Sequence, residues 1–289
     1  MTKKKTFNQL LGMKEHLVWI TAYDYPMAYC CEAAEVDMIL VGDSGGMVQL
    51  GYDNTVPVTM DEMITMCKAV RRGAPNTFIV GDMPMGSYEI TDEQAVYSAV
   101  RFIKEGGCDA VKLEGGERVV SRVEAIIKAG IPVIGHLGFT PQSMSPSVKG
   151  KTKESIDDIS DDIAILCTYG VRMILFEAVI DGALKEARKQ YEAVKFMSIG
   201  SGKEGMDGQL LIIHDILGFY NKFRPKFAKL YFEDAIKKEQ ERIVAMEGVN
   251  GFHKEKINML GVVAMAIWLY KEDVIKGIFP SKEYVYGKV

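Results

Sequence analysis

Thr77-Phe78-Ile79-Val80-Gly81-Asp82, followed one helix-length later by Asp109-Ala110-Val111-Lys112-Leu113-Glu114, sets the frame of this chain. Both runs are short and rich in apolar and β-branched residues, and each closes on a carboxylate. Phe78-Ile79-Val80 has no apolar/polar alternation, which predicts a strand covered on both faces, as in a parallel sheet flanked by helices. Between the two runs Thr91-x-x-Gln94 reads as a capping box and Gly106 as a helix stop. The stretch is therefore a βα unit leading into the next strand.

The same kind of run recurs at Leu17 to Tyr23, Met38 to Gly42, Pro132 to His136, Arg172 to Glu177, Lys195 to Ile199 and Leu210 to Ile213, which makes eight candidate strands. Thr59-x-x-Glu62 is a second capping box, and Gly73, Gly130 and Gly170 stand where further helices should stop. Eight βα units predict an α/β protein, a (β/α)8 TIM barrel forming a single domain over residues 1–289. The connection from Gly200 to Gln209 is short for a parallel crossover and lacks a helical pattern, so an open doubly wound sheet is the alternative. Residues 226–289 read mostly as closing and appended helices, Lys226 to Met246 and His253 to Ile275, joined by Glu247-Gly248-Val249-Asn250-Gly251. A face made of Met259, Val262, Ala264, Ile267 and Trp268 reads as core or subunit interface.

Composition narrows the function classes. With 48% hydrophobic and 26% charged residues in 289, the chain is an ordinary globular protein. Its net charge of −4, and a longest basic run of only Lys3-Lys4-Lys5, argue against nucleic acid as a partner. No apolar stretch reaches the roughly 18 residues of a membrane span, and Thr6-Phe7-Asn8-Gln9 breaks any signal-peptide core, which predicts a cytoplasmic protein without a membrane partner. The five cysteines include no C-x-x-C pair and read as buried free thiols, and the four histidines include no i, i+4 pair. A metal bound here would have oxygen ligands.

In a βα barrel the chemistry gathers at the C-terminal ends of the strands. Those ends carry Asp24, Asp43, Asp82, Lys112 with Glu114, His136 and Glu177. Asp43, Asp82 and Glu114 at one mouth would repel each other without a cation, and hard oxygen donors favour Mg2+ or a similar divalent ion. His136 ends its strand, where a satisfied residue behind the site and a catalytic one are equally in keeping with the pattern. His214-Asp215 carries less weight, because an Asp opening the next helix serves equally well as its cap. Gly200-Ser-Gly202-Lys-Glu-Gly205 matches G-x-G-x-x-G but leads into a strand, which makes it a rim loop and not a dinucleotide fingerprint.

Several motifs then appear in order: Ile20-Thr-Ala-Tyr-Asp-Tyr-Pro26, Val41-Gly-Asp-Ser44, Gly81-Asp-Met-Pro84, Val111-Lys-Leu-Glu-Gly-Gly116, Gly135-His-Leu-Gly-Phe-Thr-Pro-Gln-Ser143, Asp207-Gly-Gln209, His214-Asp-Ile-Leu-Gly218 and Gly277-Ile-Phe-Pro280. With them the sequence resembles the ketopantoate hydroxymethyltransferase family of the phosphoenolpyruvate-binding barrel superfamily, from about Ile20 to Pro280. The resemblance implies transfer of a hydroxymethyl group from 5,10-methylenetetrahydrofolate to 3-methyl-2-oxobutanoate, a step of pantothenate biosynthesis. It implies that Asp43 and Asp82 ligate Mg2+, with Glu114 completing the site directly or through water. It further implies that Asp43, Ser44, Asp82 and Lys112 hold the 2-oxo acid, that Glu177 is the proton acceptor, and that the chain forms a homo-oligomer, commonly a decamer.

The chain departs from the family pattern on rim loops. Gly45-Gly46 stands in place of Leu-Gly, Met144 to Lys151 replaces a longer segment, Gly200 to Gly205 differs in its glycine pattern, and Ala178 follows Glu177 in place of Cys. The C-terminal helical region is longer than usual. Two other readings stay open on the residues alone. One is a metal-dependent C–C lyase or aldolase acting on another 2-oxo acid without folate, and the other is a catalytically silent oligomeric barrel.

Overall fold

The computed structural model describes residues 4–143, 147–250 and 258–287. Eight parallel strands close into a barrel in sequence order: β1 Leu17–Thr21, β2 Met38–Val41, β3 Phe78–Asp82, β4 Ala110–Glu114, β5 Val133–Gly138, β6 Met173–Glu177, β7 Lys195–Ile199 and β8 Gly208–Leu211. The helices are α1 Phe7–Leu11, α2 Tyr25–Ala33, α3 Gly45–Val48, α4 Met60–Gly73, α5 Asp92–Lys104, α6 Val120–Lys128, α7 Lys153–Thr168, α8 Lys185–Gln190, α9 Ile213–Leu217, α10 Phe232–Asn250 and α11 Met259–Ile275. All eight strand runs of the sequence are present, with ends moved by at most two residues. β1, β2, β3, β4 and β8 are buried at every position, which is why their runs show no alternation.

Closure excludes the open sheet. β8 pairs with β7 on one side and with β1 on the other, Leu17 lying opposite Gly208. The loop 200–207 makes the return from β7 without a helix. An extended residue spans about 3.3–3.6 Å, so the loop is long enough to run back along a five-residue strand. Gly200, Gly202 and Gly205 turn it at positive φ of 69°, 76° and 82°, where a Cβ would be strained. Asp207 anchors its far end, accepting from Phe196 N at 2.8 Å and from Arg188 Nη2 at 2.9 Å.

α4 begins with the complete capping box of Thr59 and Glu62. At α5 only half of the expected box forms: Thr91 accepts from Gln94 N, but Gln94 Oε1 accepts from Ile90 N instead. The C-terminal region also departs from expectation. α10 runs through Glu247 to Asn250, where the sequence suggests a joint, and Gly251 and His253 lie outside the described residues. α11 packs against α2, α9, α10 and β1, and so covers the seam where β8 meets β1. Its Tyr270 is fully buried and donates its hydroxyl to Gln209 O at 2.8 Å, with Trp19 O at 3.1 Å. Val262 and Ile267 are core, whereas Met259 and Trp268 face solvent at 55% and 41% exposure, so the apolar face seen in the sequence divides between core and surface.

Candidate active site

Strand register builds the site. In parallel strands, residues side by side share a face, as do residues two apart along one strand. Asp82 on β3 lies opposite Lys112 on β4, Glu114 lies opposite His136 on β5, and Lys112 and Glu114 are two apart. All four side chains are buried at the C-terminal end of the barrel. Lys112 Nζ stands 2.7 Å from Asp82 Oδ1 and 3.0 Å from His136 Nδ1. An ammonium can only donate, so Nδ1 is the acceptor and the ring proton sits on Nε2. That nitrogen faces Glu177 Oε2 at 3.3 Å, which gives a line from Asp82 through Lys112 and His136 to Glu177.

A second network comes from the loop after β5. Gln142 Nε2 donates to Asp43 Oδ2 at 2.9 Å and to Met83 O at 3.0 Å, and its backbone N donates to Glu114 Oε2 at 3.1 Å. Tyr88 donates to Gln142 Oε1 at 2.6 Å. Asp43 N donates to Asp82 Oδ2 at 3.1 Å, and Ser44 Oγ is 2.9 Å from the Tyr23 hydroxyl. Gln142 and Tyr88 were not assigned roles from sequence. The signal for Gln142 is the Thr140-Pro-Gln-Ser143 turn directly after a strand end, and that for Tyr88 is Gly86-Ser-Tyr88 after β3; each names the residue without saying what it touches.

Burial pushes the carboxyls of Asp43, Asp82 and Glu114 above the usual range, and the pull of Lys112 only partly offsets it. Burial acts to lower the Lys112 amine, but Asp82, Glu114 and Asp43 together outweigh it and hold the group charged. His136 is lowered by burial and by Lys112 against the opposing Glu177, which keeps the imidazole neutral. Three carboxylates thus share one ammonium, an arrangement that a further cation would stabilise. Among the described residues no three His, Cys, Asp or Glu side chains stand close enough to hold an ion by themselves, so the expected set of Asp43, Asp82 and Glu114 does not meet directly. Gln142 stands between Glu114 and Asp43. The adjoining pair Asp43 and Asp82 remains, and two hard carboxylates completed by water and substrate oxygens fit Mg2+.

These groups open into a cavity of about 940 Å³ whose wall includes Ser44, Lys112, His136, Glu177 and Asp215. Glu177 ends β6 and is the most open of the four strand-end carboxylates that line the cavity, its side chain 18% exposed. The next residue, Ala178, takes φ 51°, an uncommon conformation for a residue with a Cβ, and it is held by Ala178 N donating to Ile199 O and Lys149 N donating to Ala178 O. Asp24 is brought elsewhere: it caps α2, accepting from Met27 N at 2.8 Å. Asp215 does not cap α9, whose N-cap is Ile212. It lines the cavity, where burial pushes its carboxyl up to about 7 against the opposing Arg224.

Comparison with known proteins follows the same line. The profile of the ketopantoate hydroxymethyltransferase family matches residues 2–241. The 3-methyl-2-oxobutanoate hydroxymethyltransferase of Alkaliphilus metalliredigens is 42% identical over 99% of this chain and 94% of its own length, an alignment that runs through the C-terminal helices. That of Thermus thermophilus is 39% identical over 98% of both chains. Among solved structures, a phosphoenolpyruvate phosphomutase from Streptomyces platensis superposes with a TM-score of 0.59 at 13% identity, covering 95% of this chain and 98% of that one. A 2,3-dimethylmalate lyase of the PEP mutase/isocitrate lyase superfamily gives 0.56 at 14% identity, covering 91% and 94%. These two likenesses are of fold.

Proposed function

The chain belongs to the ketopantoate hydroxymethyltransferase family and transfers a hydroxymethyl group to 3-methyl-2-oxobutanoate, and from that premise we propose which residues perform the transfer. Glu177 is the proton acceptor at C3 of the 2-oxo acid. The observation that carries this assignment is its position: it opens to the cavity, whereas Asp82 and Glu114 are almost wholly buried and Asp43 is held by Gln142. His136 turns Nε2 toward the Glu177 carboxylate at 3.3 Å without a formed hydrogen bond, poised to orient it, with Lys112 holding the imidazole in that tautomer.

Lys112 and Ser44 bind the 2-oxo acid, Lys112 adding positive charge beside its carboxylate. Asp43 and Asp82 hold a divalent cation such as Mg2+, with Glu114 acting through water. When bound, that cation supplies Lewis-acid stabilisation of the negative charge that develops on the keto oxygen. Water releases the one-carbon unit of 5,10-methylenetetrahydrofolate at the formaldehyde level, with tetrahydrofolate leaving; C3 attacks that carbon, and the proton held by Glu177 is returned to the oxygen of the new hydroxymethyl group. Gln142 fixes Asp43 and Glu114 and keeps their carboxylates apart.

The assembly is a homo-oligomer built on the outward faces of α2 and α11, two helices that pack on each other and expose Tyr25, Tyr29, Met259, Leu260 and Trp268. The decamer common in the family is the size expected.

The test of the base is deuterium loss from C3-labelled 3-methyl-2-oxobutanoate with Mg2+, followed by NMR in the wild type and in Glu177→Gln. Exchange present in the wild type and lost in the variant supports the assignment. Exchange retained at the wild-type rate in Glu177→Gln removes the base from this residue.

A further inference from the structure

The wall of the cavity holds polar atoms that the chemistry of the 2-oxo acid does not use. Asp215 Oδ2, the Tyr220 hydroxyl and the Thr55 hydroxyl are buried without a hydrogen-bond partner, and all three residues line the cavity. Asp215 is 4% exposed, so its carboxylate is more than nine-tenths buried. Buried polar groups are nearly always satisfied, and an orphan in a ligand cavity marks a place where the ligand supplies the bond. The neighbouring wall is apolar and aromatic: Tyr220 and Phe223 meet edge to face at 5.3 Å, with Phe227 and Tyr286 beside the same cavity. Phe223 is 54% exposed, an open apolar ring at the rim. A volume of about 940 Å³ is near the top of the ~300–1,000 Å³ range of ligand sites, far more than a five-carbon acid fills.

We propose that Asp215 reads the pterin ring of the folate co-substrate, its two carboxylate oxygens accepting from the pterin N3–H and 2-amino group. A reduced pterin carries those two donors on one edge, with a 4-oxo acceptor next to them. An ionised carboxylate is acceptor-only and pairs best with two parallel N–H donors. The Tyr220 hydroxyl is available as donor to the 4-oxo group, and the aromatic wall accommodates the ring system. Location agrees: Tyr23, whose hydroxyl is 2.9 Å from Ser44, packs its ring 5.5 Å from that of His214, the residue before Asp215, and Asp43, Ser44 and Asp215 line the same cavity, so folate at Asp215 adjoins the 2-oxo acid. Burial that favours the protonated carboxyl in the free protein is offset when two donors arrive. The inference rests on the cavity being the site of transfer.

The test uses full-length protein with Asp215→Ala and the near-isosteric Asp215→Asn. Tetrahydrofolate and its 2-desamino-2-methyl analogue are titrated calorimetrically, and KM is measured for each substrate. The wild type is expected to bind the analogue about tenfold or more weakly than tetrahydrofolate, and both variants to lose most of that discrimination. Their affinity for tetrahydrofolate should fall about 10- to 100-fold, the loss of hydrogen bonds to a charged group. KM for the 2-oxo acid should move by less than about twofold on the same scale. Tetrahydrofolate affinity within about twofold of the wild type, or undiminished discrimination against the analogue, overturns the proposal. Loss of C3 exchange together with folate affinity overturns it too, since Asp215 would then support the whole site. Failure of the base assignment is separate, because it is read in Glu177→Gln without folate.

Discussion

Asp215→Asn also makes a stability prediction that needs no ligand. In the folded chain burial raises the Asp215 carboxyl from an ordinary value of 3.8 to about 7, with Arg224 pulling the other way. The folded state therefore keeps this proton over a range in which the unfolded chain has already released it. The stabilising contribution is full below the unfolded value and is lost as pH rises through about 7. Integrated from pH 5 to pH 8, linkage gives a loss of about 2–3 kcal/mol in the wild type that the neutral amide does not suffer. For a chain of this size that is a relative gain for the variant on the order of 5 °C in Tm at the higher pH. Thermal unfolding of both proteins, free of ligand, at the two pH values measures it. If the Tm difference between variant and wild type is the same at both, the carboxyl does not titrate in this window, and the argument from burial is refuted.

Other perturbations follow from particular contacts. Gln142→Ala leaves Asp43 Oδ2 and Met83 O without their donor and the Tyr88 hydroxyl without its acceptor, and should destabilise the fold by roughly 2–4 kcal/mol in urea. The same variant should weaken Mg2+ or Mn2+ binding by about 10- to 100-fold in a calorimetric titration, because Gln142 orients one of the proposed ligands. Tyr270→Phe leaves Gln209 O without its donor across the β8–β1 seam and should cost about 1–2 kcal/mol, read by the same denaturation. Trp268→Glu places a charge on the exposed face of α11 and should shift the sedimentation profile to smaller species, while an unchanged profile would move the interface elsewhere.

The fold was legible because its signals are local. Continuous apolar runs, the Thr59–Glu62 capping box and the Gly130 and Gly170 stops each involve residues a few positions apart, and the structure carries them all. The seventh-to-eighth connection was ambiguous for a physical reason. Whether a helix-free loop joins parallel strands depends on its reach and on the glycines that turn it, and periodicity reports neither. Among the site residues, register placed Asp82, Lys112, Glu114 and His136 where strand-end reasoning put them, since a parallel barrel aligns strand ends in one layer.

By itself the amino-acid sequence determined the strand and helix units, the family to which they belong, and the identity of the charged residues at the barrel mouth. Tertiary structure alone decided which oxygen faces which donor. Gln142 reaches Asp43 from 99 positions away, Asp215 turns into the cavity where a capping role fits the sequence equally well, and Asp24 caps a helix although it follows a strand like the others. Side-chain chemistry is written residue by residue, but hydrogen bonds and pKa values depend on distances of a few ångströms that exist only once the barrel closes.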